Sequence, residues 1–168
     1  ILGIGSEISF VWLPDVEKGK HLFWTTWVDT EKVSKELKSK SVTYDLDRSE
    51  PYTAEYFRAW ESGEPVHVYK VAPGEVKTYF DTWGELFNDA KRFPEYFPEG
   101  LYYAEAFMKY GCFGFIISRQ LSEDEKKILL RFTNEFERTY SRFLDLQKSE
   151  EQTREAQIQL ALERVRAR

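Results

Sequence analysis

The chain predicts an α+β fold: a mostly antiparallel sheet flanked by helices, followed by one long helix that forms a parallel coiled-coil dimer. Three observations predict it. Residues 122–168 contain neither Gly nor Pro and carry an apolar stripe; at about 1.5 Å per residue they make a helix roughly 70 Å long, more than one small domain covers. Six short segments concentrate alternating apolar, β-branched and aromatic residues between Gly, Pro and Asp turn signals. Two further segments space large aromatic residues three or four apart, as a buried helix face requires.

Ile8, Phe10 and Trp12 alternate with Ser9 and Val11, and residues 21–28 are rich in Phe, Trp, Thr and Val. With Pro14, Asp15 and Gly19 between them, these predict two antiparallel strands with a long connection. Residues 29–40 are charged, with Val33 and Leu37 four apart, and read as a short surface helix or a loop; Val42, Tyr44 and Leu46 alternate as a short strand. Residues 53–62 place Tyr56, Phe57 and Trp60 on one helical side, and Gly63 stands where a C′ glycine ends a helix. Pro65 favours extended backbone into a strand of Val66, His67, Val68 and Tyr69. Residues 76–92 have helical spacing in Tyr79, Phe80, Trp83, Leu86 and Phe87, weakened at Gly84 by ~1 kcal/mol relative to Ala, and Pro94 and Pro98 end them. Residues 101–108 and 112–118 are two strands joined through Lys109, Tyr110 and Gly111 as a hairpin. The sheet is expected to carry helices on one face and ligand space on the other.

The terminal helix has a clear start. Ser122 with Glu125 three residues later makes a capping box, and Glu123 and Asp124 complement the helix dipole. Leu129, Phe132, Phe136, Tyr140 and Phe143 then step by three or four, which assigns that half to the globule. The expected division is a globular domain over 1–145 and a linker over 146–168, continuous with the helix that starts near 122. With Leu144 as a heptad a position, the dimer seam runs through Gln147, Glu151, Arg154, Ile158, Ala161, Val165 and Arg168. A seam this rich in small and polar residues suits a stalk that shifts between registers rather than one built for maximum stability. The alternative is a single solvated helix, because sustained apolar heptads are absent.

Composition bounds the function. Thirteen Phe, ten Tyr and five Trp in 168 residues supply a core despite 32% charged residues, so disorder is excluded. Net charge is −5 with both signs interspersed, which argues against a nucleic-acid footprint. No apolar run is long enough for a membrane span and no secretory signal is recognisable, so a cytosolic chain without direct membrane contact is expected. Cys112 stands alone in an apolar run and reads as a buried small hydrophobe. The start at Ile1 and the end inside a helical pattern predict a piece of a longer protein.

Three stretches carry a family resemblance. Ala59-Trp60-Glu61-Ser62-Gly63-Glu64-Pro65-Val66 resembles the helix-to-strand junction of GAF domains, small sensory modules of bacterial signalling proteins. Gly111-Cys112-Phe113-Gly114-Phe115-Ile116-Ile117, then Leu121-Ser122-Glu123-Asp124-Glu125 and Leu129-Leu130-Arg131-Phe132, is similar to that family's last strand and last helix. The tail from Arg154 to Arg168 looks like the linker that joins sensory modules to the kinase core of sensor histidine kinases. The phosphodiesterase-type nucleotide-binding motif of some members is not recognisable, so cyclic nucleotides are not implied.

The resemblance implies a ligand side of the sheet reached by Trp60, His67, Tyr69, Trp83, Phe87, Phe107 and Phe115, where aromatic walls and a few polar groups suit a small organic molecule. The alternative is that the same rings fill the core. No catalytic constellation and no cofactor motif is present, and His21 and His67 lack partners at a metal-ligand spacing. The expected partners are a second copy through the terminal helix, a downstream kinase or effector domain of the same chain, and a small-molecule ligand. The competing functions are a structural dimerisation module without ligand, and a thiol-based redox sensor or enzyme using Cys112.

Overall fold

Alternation and pairing together build one sheet. The computed structural model describes residues 8–29, 36–87 and 93–166. Strands β1 (Ile8–Asp15), β2 (Lys20–Asp29), β3 (Glu36–Asp45), β4 (Val66–Val71), β5 (Leu101–Met108) and β6 (Gly111–Ile117) form an open sheet in the order β3-β2-β1-β6-β5-β4. Every neighbouring pair is antiparallel. The helices are α1 (Pro51–Ser62), α2 (Val76–Thr82), α3 (Gly84–Phe87) and α4 (Glu123–Arg166). The α+β architecture and the long terminal helix are therefore as the sequence predicts.

Local chemistry explains the boundaries. The Glu50 carboxylate accepts from Tyr52 N at 3.0 Å and Thr53 N at 2.6 Å, capping α1, and Gly63 at φ 75° closes its other end. Ser122 and Glu125 exchange both bonds of the capping box, Ser122 N to Glu125 Oε2 at 2.9 Å and Glu125 N to Ser122 Oγ at 3.3 Å. Arg119 also grips Glu125, and with the Ser122 amide it holds that carboxyl down at about 2.

Three segments differ from the sequence reading. The connection between β1 and β2 is not long: residues 16–19 make a tight turn with Gly19 N on Val16 O at 3.3 Å. Residues 36–40 are neither helix nor loop but the first half of β3, with Lys38 opposite Trp27 and Lys40 opposite Thr25. The ladder to β2 overrides their polar composition, and lysines on an edge strand discourage further pairing. Of the charged stretch, residues 30–35, including Val33, lie outside the described residues. The helix expected over 76–92 is broken after Thr82, and Leu86 N turns instead to the Tyr44 hydroxyl at 2.9 Å and Trp83 O at 2.9 Å. Residues 88–92 lie outside the described residues.

Register sorts the side chains onto two faces. On the inner face Phe10 stands between Gly114 and Thr25, and Glu105 stands between Gly114 and His67. That face packs with Tyr56 and Phe57 of α1, Val76, Tyr79 and Phe80 of α2, and Leu86 and Phe87 of α3 in one core. On the outer face Phe113 meets Phe132 of α4 at 4.6 Å between ring centroids, and Leu129 and Thr133 are fully buried. Helices thus lie on both faces of the sheet, not on one. Trp24, Val28 and Leu37 of the outer face remain exposed.

The chain divides into two compact units, Ile1–Thr133 and Asn134–Arg168. The first turns of α4 belong to the first unit. In the second unit Phe136, Tyr140 and Phe143 stack in a row at 6.0 and 6.2 Å. No helix among the described residues is long and apolar enough to cross a membrane.

Candidate functional site

Polar groups inside an aromatic layer are the feature that needs a physical reason, because an unpartnered buried polar atom costs about 1–3 kcal/mol. Glu105 is such a group. It sits mid-strand on β5, on the same face as Tyr103 and Phe107, with no solvent exposure. Cys112 of the neighbouring strand donates its Sγ–H to Glu105 Oε2 at 3.7 Å, and Oε1 has no hydrogen-bond partner among the described residues.

Two phenols share that situation. The hydroxyls of Tyr56 from α1 and Tyr103 from β5 are buried and make no hydrogen bond among the described residues. The rings are close: Tyr56 and Tyr103 at 5.4 Å, Tyr79 and Tyr103 at 6.0 Å, Tyr69 and Tyr103 at 5.1 Å, and Trp12 stacked on Tyr56 at 5.1 Å. Gly114, opposite Glu105 and Phe10, leaves the floor open for the Phe10 ring; a Cβ there would stand 2.5 Å from Phe10 Cζ and 2.7 Å from the Ala104 carbonyl oxygen.

Burial sets the protonation of this group. It pushes the Glu105 carboxyl well above the usual carboxylate range, the Cys112 hydrogen bond opposes that push, and the Glu55 charge adds to it. Burial therefore favours the uncharged form of Glu105. Burial likewise raises the Tyr56, Tyr79 and Tyr103 hydroxyls and the Cys112 thiol. A protonated, fully buried thiol is a poor nucleophile.

The residues anticipated for the ligand side scatter. His67 and Tyr69 join the Glu105 neighbourhood: His67 stands opposite Glu105 and turns Nε2 to Glu55 Oε1 at 3.0 Å and Nδ1 to Glu64 Oε2 at 3.6 Å, while Tyr69 stacks on Tyr103. Trp83 lies toward β2 and β3, packed on Phe23 at 4.8 Å, His21 at 5.8 Å and Tyr44 at 5.5 Å. Phe87 packs on Phe80 at 5.0 Å. Trp60 lies at the β5–β6 turn, where its Nε1–H donates to Met108 O at 3.1 Å, and it borders a shallow depression of about 260 Å³ lined also by Val16, Arg48, Phe57 and Glu61. Phe107 stands opposite Cys112 and packs at the margin of the inner core. Phe115 is on the other face: it shares parity with Phe113, which it meets at 5.3 Å, so it does not line the inner layer.

His21 is also buried there. It accepts from Trp12 Nε1 at 2.9 Å through Nδ1, and burial lowers its pKa, so it is a neutral acceptor. Among the described residues no group of three or more His, Cys, Asp or Glu could hold a metal ion.

In the second unit the seam residues Gln147, Glu151, Arg154, Ile158, Ala161 and Val165 are exposed, and Leu144 is half-buried. Ile158 is 51% and Val165 74% exposed, so apolar surface is available at two successive a positions. Leu160 and Leu162 are also exposed, at c and e, and widen the apolar surface beyond the narrow seam.

Glu105, Tyr56 and Tyr103 were not anticipated. A signal existed: in Tyr103-Ala104-Glu105-Ala106-Phe107 the acid alternates in step with the large aromatic residues, and only alanines fall between. No protein-family model matches the chain, and neither a curated protein nor a solved structure matches it.

Proposed function

We propose that this chain is a GAF-like sensory or regulatory module of a two-component signalling protein. A small ligand or partner engages the globular unit and biases a parallel homodimer of the terminal helix, which relays that bias to a downstream histidine kinase in the same chain. The carrying observation is the second unit: Ile158, Ala161 and Val165 repeat at a and d spacing, all exposed, on a helix whose preceding seam positions are Gln147, Glu151 and Arg154. Burying the apolar positions against a second copy stabilises a dimer, while the polar ones keep alternative registers close in free energy. The fragment itself performs no chemistry in this reading.

Relay of this kind needs a coupling of only ~1–3 kcal/mol between the globule and the stalk. Replacing Glu151 and Arg154 together by Leu strengthens one register. In a kinase assay on the full protein, the double variant is expected to lose most of the signal-dependent change in autophosphorylation. A response equal to that of the wild type would remove the relay.

The close ring packing of the inner layer favours a second reading, a structural dimerisation module that takes no ligand. A ligand that binds only the folded state raises the melting temperature by mass action, so thermal shifts across a metabolite panel separate the two. The thiol-redox reading is weakened by the burial of Cys112 and the raised pKa that burial gives it. We place the module in a reduced cytosolic compartment.

A further inference from the structure

Trp24 stands at the centre of the outer face of β1, β2 and β3. Register sets Val11 opposite it on one side and Ser41 on the other, while Leu22 faces Thr43, Thr26 faces Ser39 and Val28 faces Leu37. In a chain with 32% charged residues, every position of this face between the Leu22–Thr43 pair and the Val28–Leu37 pair is uncharged. Charge appears only past its end, at Asp15, Lys20 and Asp45, where Lys20 pairs with Asp45 and Asp15 with Lys18.

The face is also open. Trp24 is 52% exposed, and its indole makes no hydrogen bond and no ring contact among the described residues. The Ser9 and Thr26 hydroxyls bond to each other, whereas Ser39, Ser41 and Thr43 of β3 are exposed and their hydroxyls have no partner among the described residues. An indole thus lies bare beside a row of three free hydroxyls. Ser41, directly across the ladder, stands about 5 Å from Trp24 between Cβ atoms, and the diagonal Ser39 and Thr43 about 7–8 Å. Val28, also exposed, continues the apolar track about 13 Å along β2.

Neutrality, area and hydroxyls select the occupant. A face without charge offers nothing to a nucleic acid or an anionic lipid surface. Its exposed apolar area comes from Trp24, Val28 and Leu37, far less than the about 800 Å² per partner that a stable protein interface buries. A sugar ring complements what is there. Its C–H face packs on an indole, and its equatorial hydroxyls exchange hydrogen bonds with Ser and Thr hydroxyls, which both donate and accept. A flat sheet face seats a flat chain. We propose that the outer face of β1, β2 and β3 binds a neutral oligosaccharide, an extended chain of hexopyranoses with equatorial hydroxyls, whose rings lie flat on Trp24 and along the hydroxyl row of β3. This site depends neither on the relay through the terminal helix nor on a ligand in the inner layer.

NMR titration of the full chain with cellohexaose tests this, with tetraethylene glycol as a control that has ether oxygens but no ring face. The Trp24 indole N–H signal, assigned by its loss in Trp24→Ala, and the Ser39, Ser41 and Thr43 amide signals are expected to shift with a millimolar Kd. Trp24→Ala is expected to weaken binding at least about tenfold and Ser41→Ala about threefold. Both replace exposed side chains, so the fold should persist. If Trp24→Ala does not fold, saturation transfer from the wild-type indole protons to the sugar C–H protons is the expected result, and its absence counts as a negative. No shift at the outer face, equal shifts with tetraethylene glycol, or binding undiminished in Trp24→Ala overturns the proposal. Shifts of the same signals on concentrating the sugar-free protein would make a second copy the occupant, and overturn it too.

Discussion

Gly111→Ala is expected to cost the first unit about 3–5 kcal/mol, a large part of the roughly 5–15 kcal/mol that holds an ordinary domain folded. Gly111 opens β6 at φ 144°, in the region that L side chains rarely adopt. A Cβ there would also run into the carbonyl oxygen of Trp12, with the Trp12 carbonyl carbon at 2.9 Å and Pro14 Cδ at 3.0 Å. Backbone cannot swing aside as a flexible side chain does, so either β6 separates from β1 or the β5–β6 turn distorts. Both routes disturb Trp12, a fully buried ring that touches Tyr56, Phe57 and Trp60. Gly84→Ala is the control: nothing lies within 4 Å of the added carbon, and the change should stay within about 1 kcal/mol. Urea denaturation followed by circular dichroism reads both. A Gly111→Ala protein as stable as the wild type would show that the β1–β6 approach is looser than described.

The second large effect is the loss of stability with rising pH that Glu105 imposes. Its folded pKa lies well above the value of about 4.5 that it has when unfolded. Between those two values the folded chain holds the proton and the unfolded chain does not, so stability falls as pH rises, by up to ~1.4 kcal/mol per pH unit. His21 has the opposite sign: its pKa is lowered by burial, so stability is lost as pH drops below about 6.5. Glu55, lowered first by its Arg58 partner, contributes stability above its unfolded value and loses it on acidification. The wild-type curve therefore mixes signs below pH 7, and the difference between wild type and Glu105→Gln isolates the buried acid. Measured by urea titration from pH 5 upward, that difference is expected to shift in favour of Glu105→Gln until the folded-state pKa is passed. Parallel curves for the two proteins would mean that Glu105 is solvated or ionised in the folded chain.

What the sequence disclosed follows from how local each signal is. The capping box at Ser122 and Glu125, the glycine after α1, the β5–β6 hairpin and the burial of Cys112 all depend on a few adjacent residues, and all are found. The first half of β3 was missed because its stability comes from β2 across the ladder and not from Glu36, Lys38 or Lys40 themselves. The break after Thr82 was only half legible: Gly84 weakens the helix, but the Tyr44 hydroxyl that caps Leu86 comes from 42 residues away in sequence.

The inner site was hidden for a related reason. In β5 and β6 both faces are covered, so apolar alternation no longer distinguishes them, and Phe115 stands on the face opposite to the other anticipated residue of these two strands. Composition alone does not mark Glu105 as buried, because acids seldom go inside unpaired. Only the register, which sets it opposite Gly114 and His67, shows that it points into the aromatic layer.

The relay stands or falls on two copies of the second unit lying side by side in the same direction. A spin label at Val165→Cys reads this by pulsed electron resonance, since Cys112 is buried and should not take the label. Parallel pairing, with helix axes about 10 Å apart, is expected to give one short label-to-label distance. No dipolar signal at high protein concentration, or a distance as long as an antiparallel arrangement requires, would contradict it.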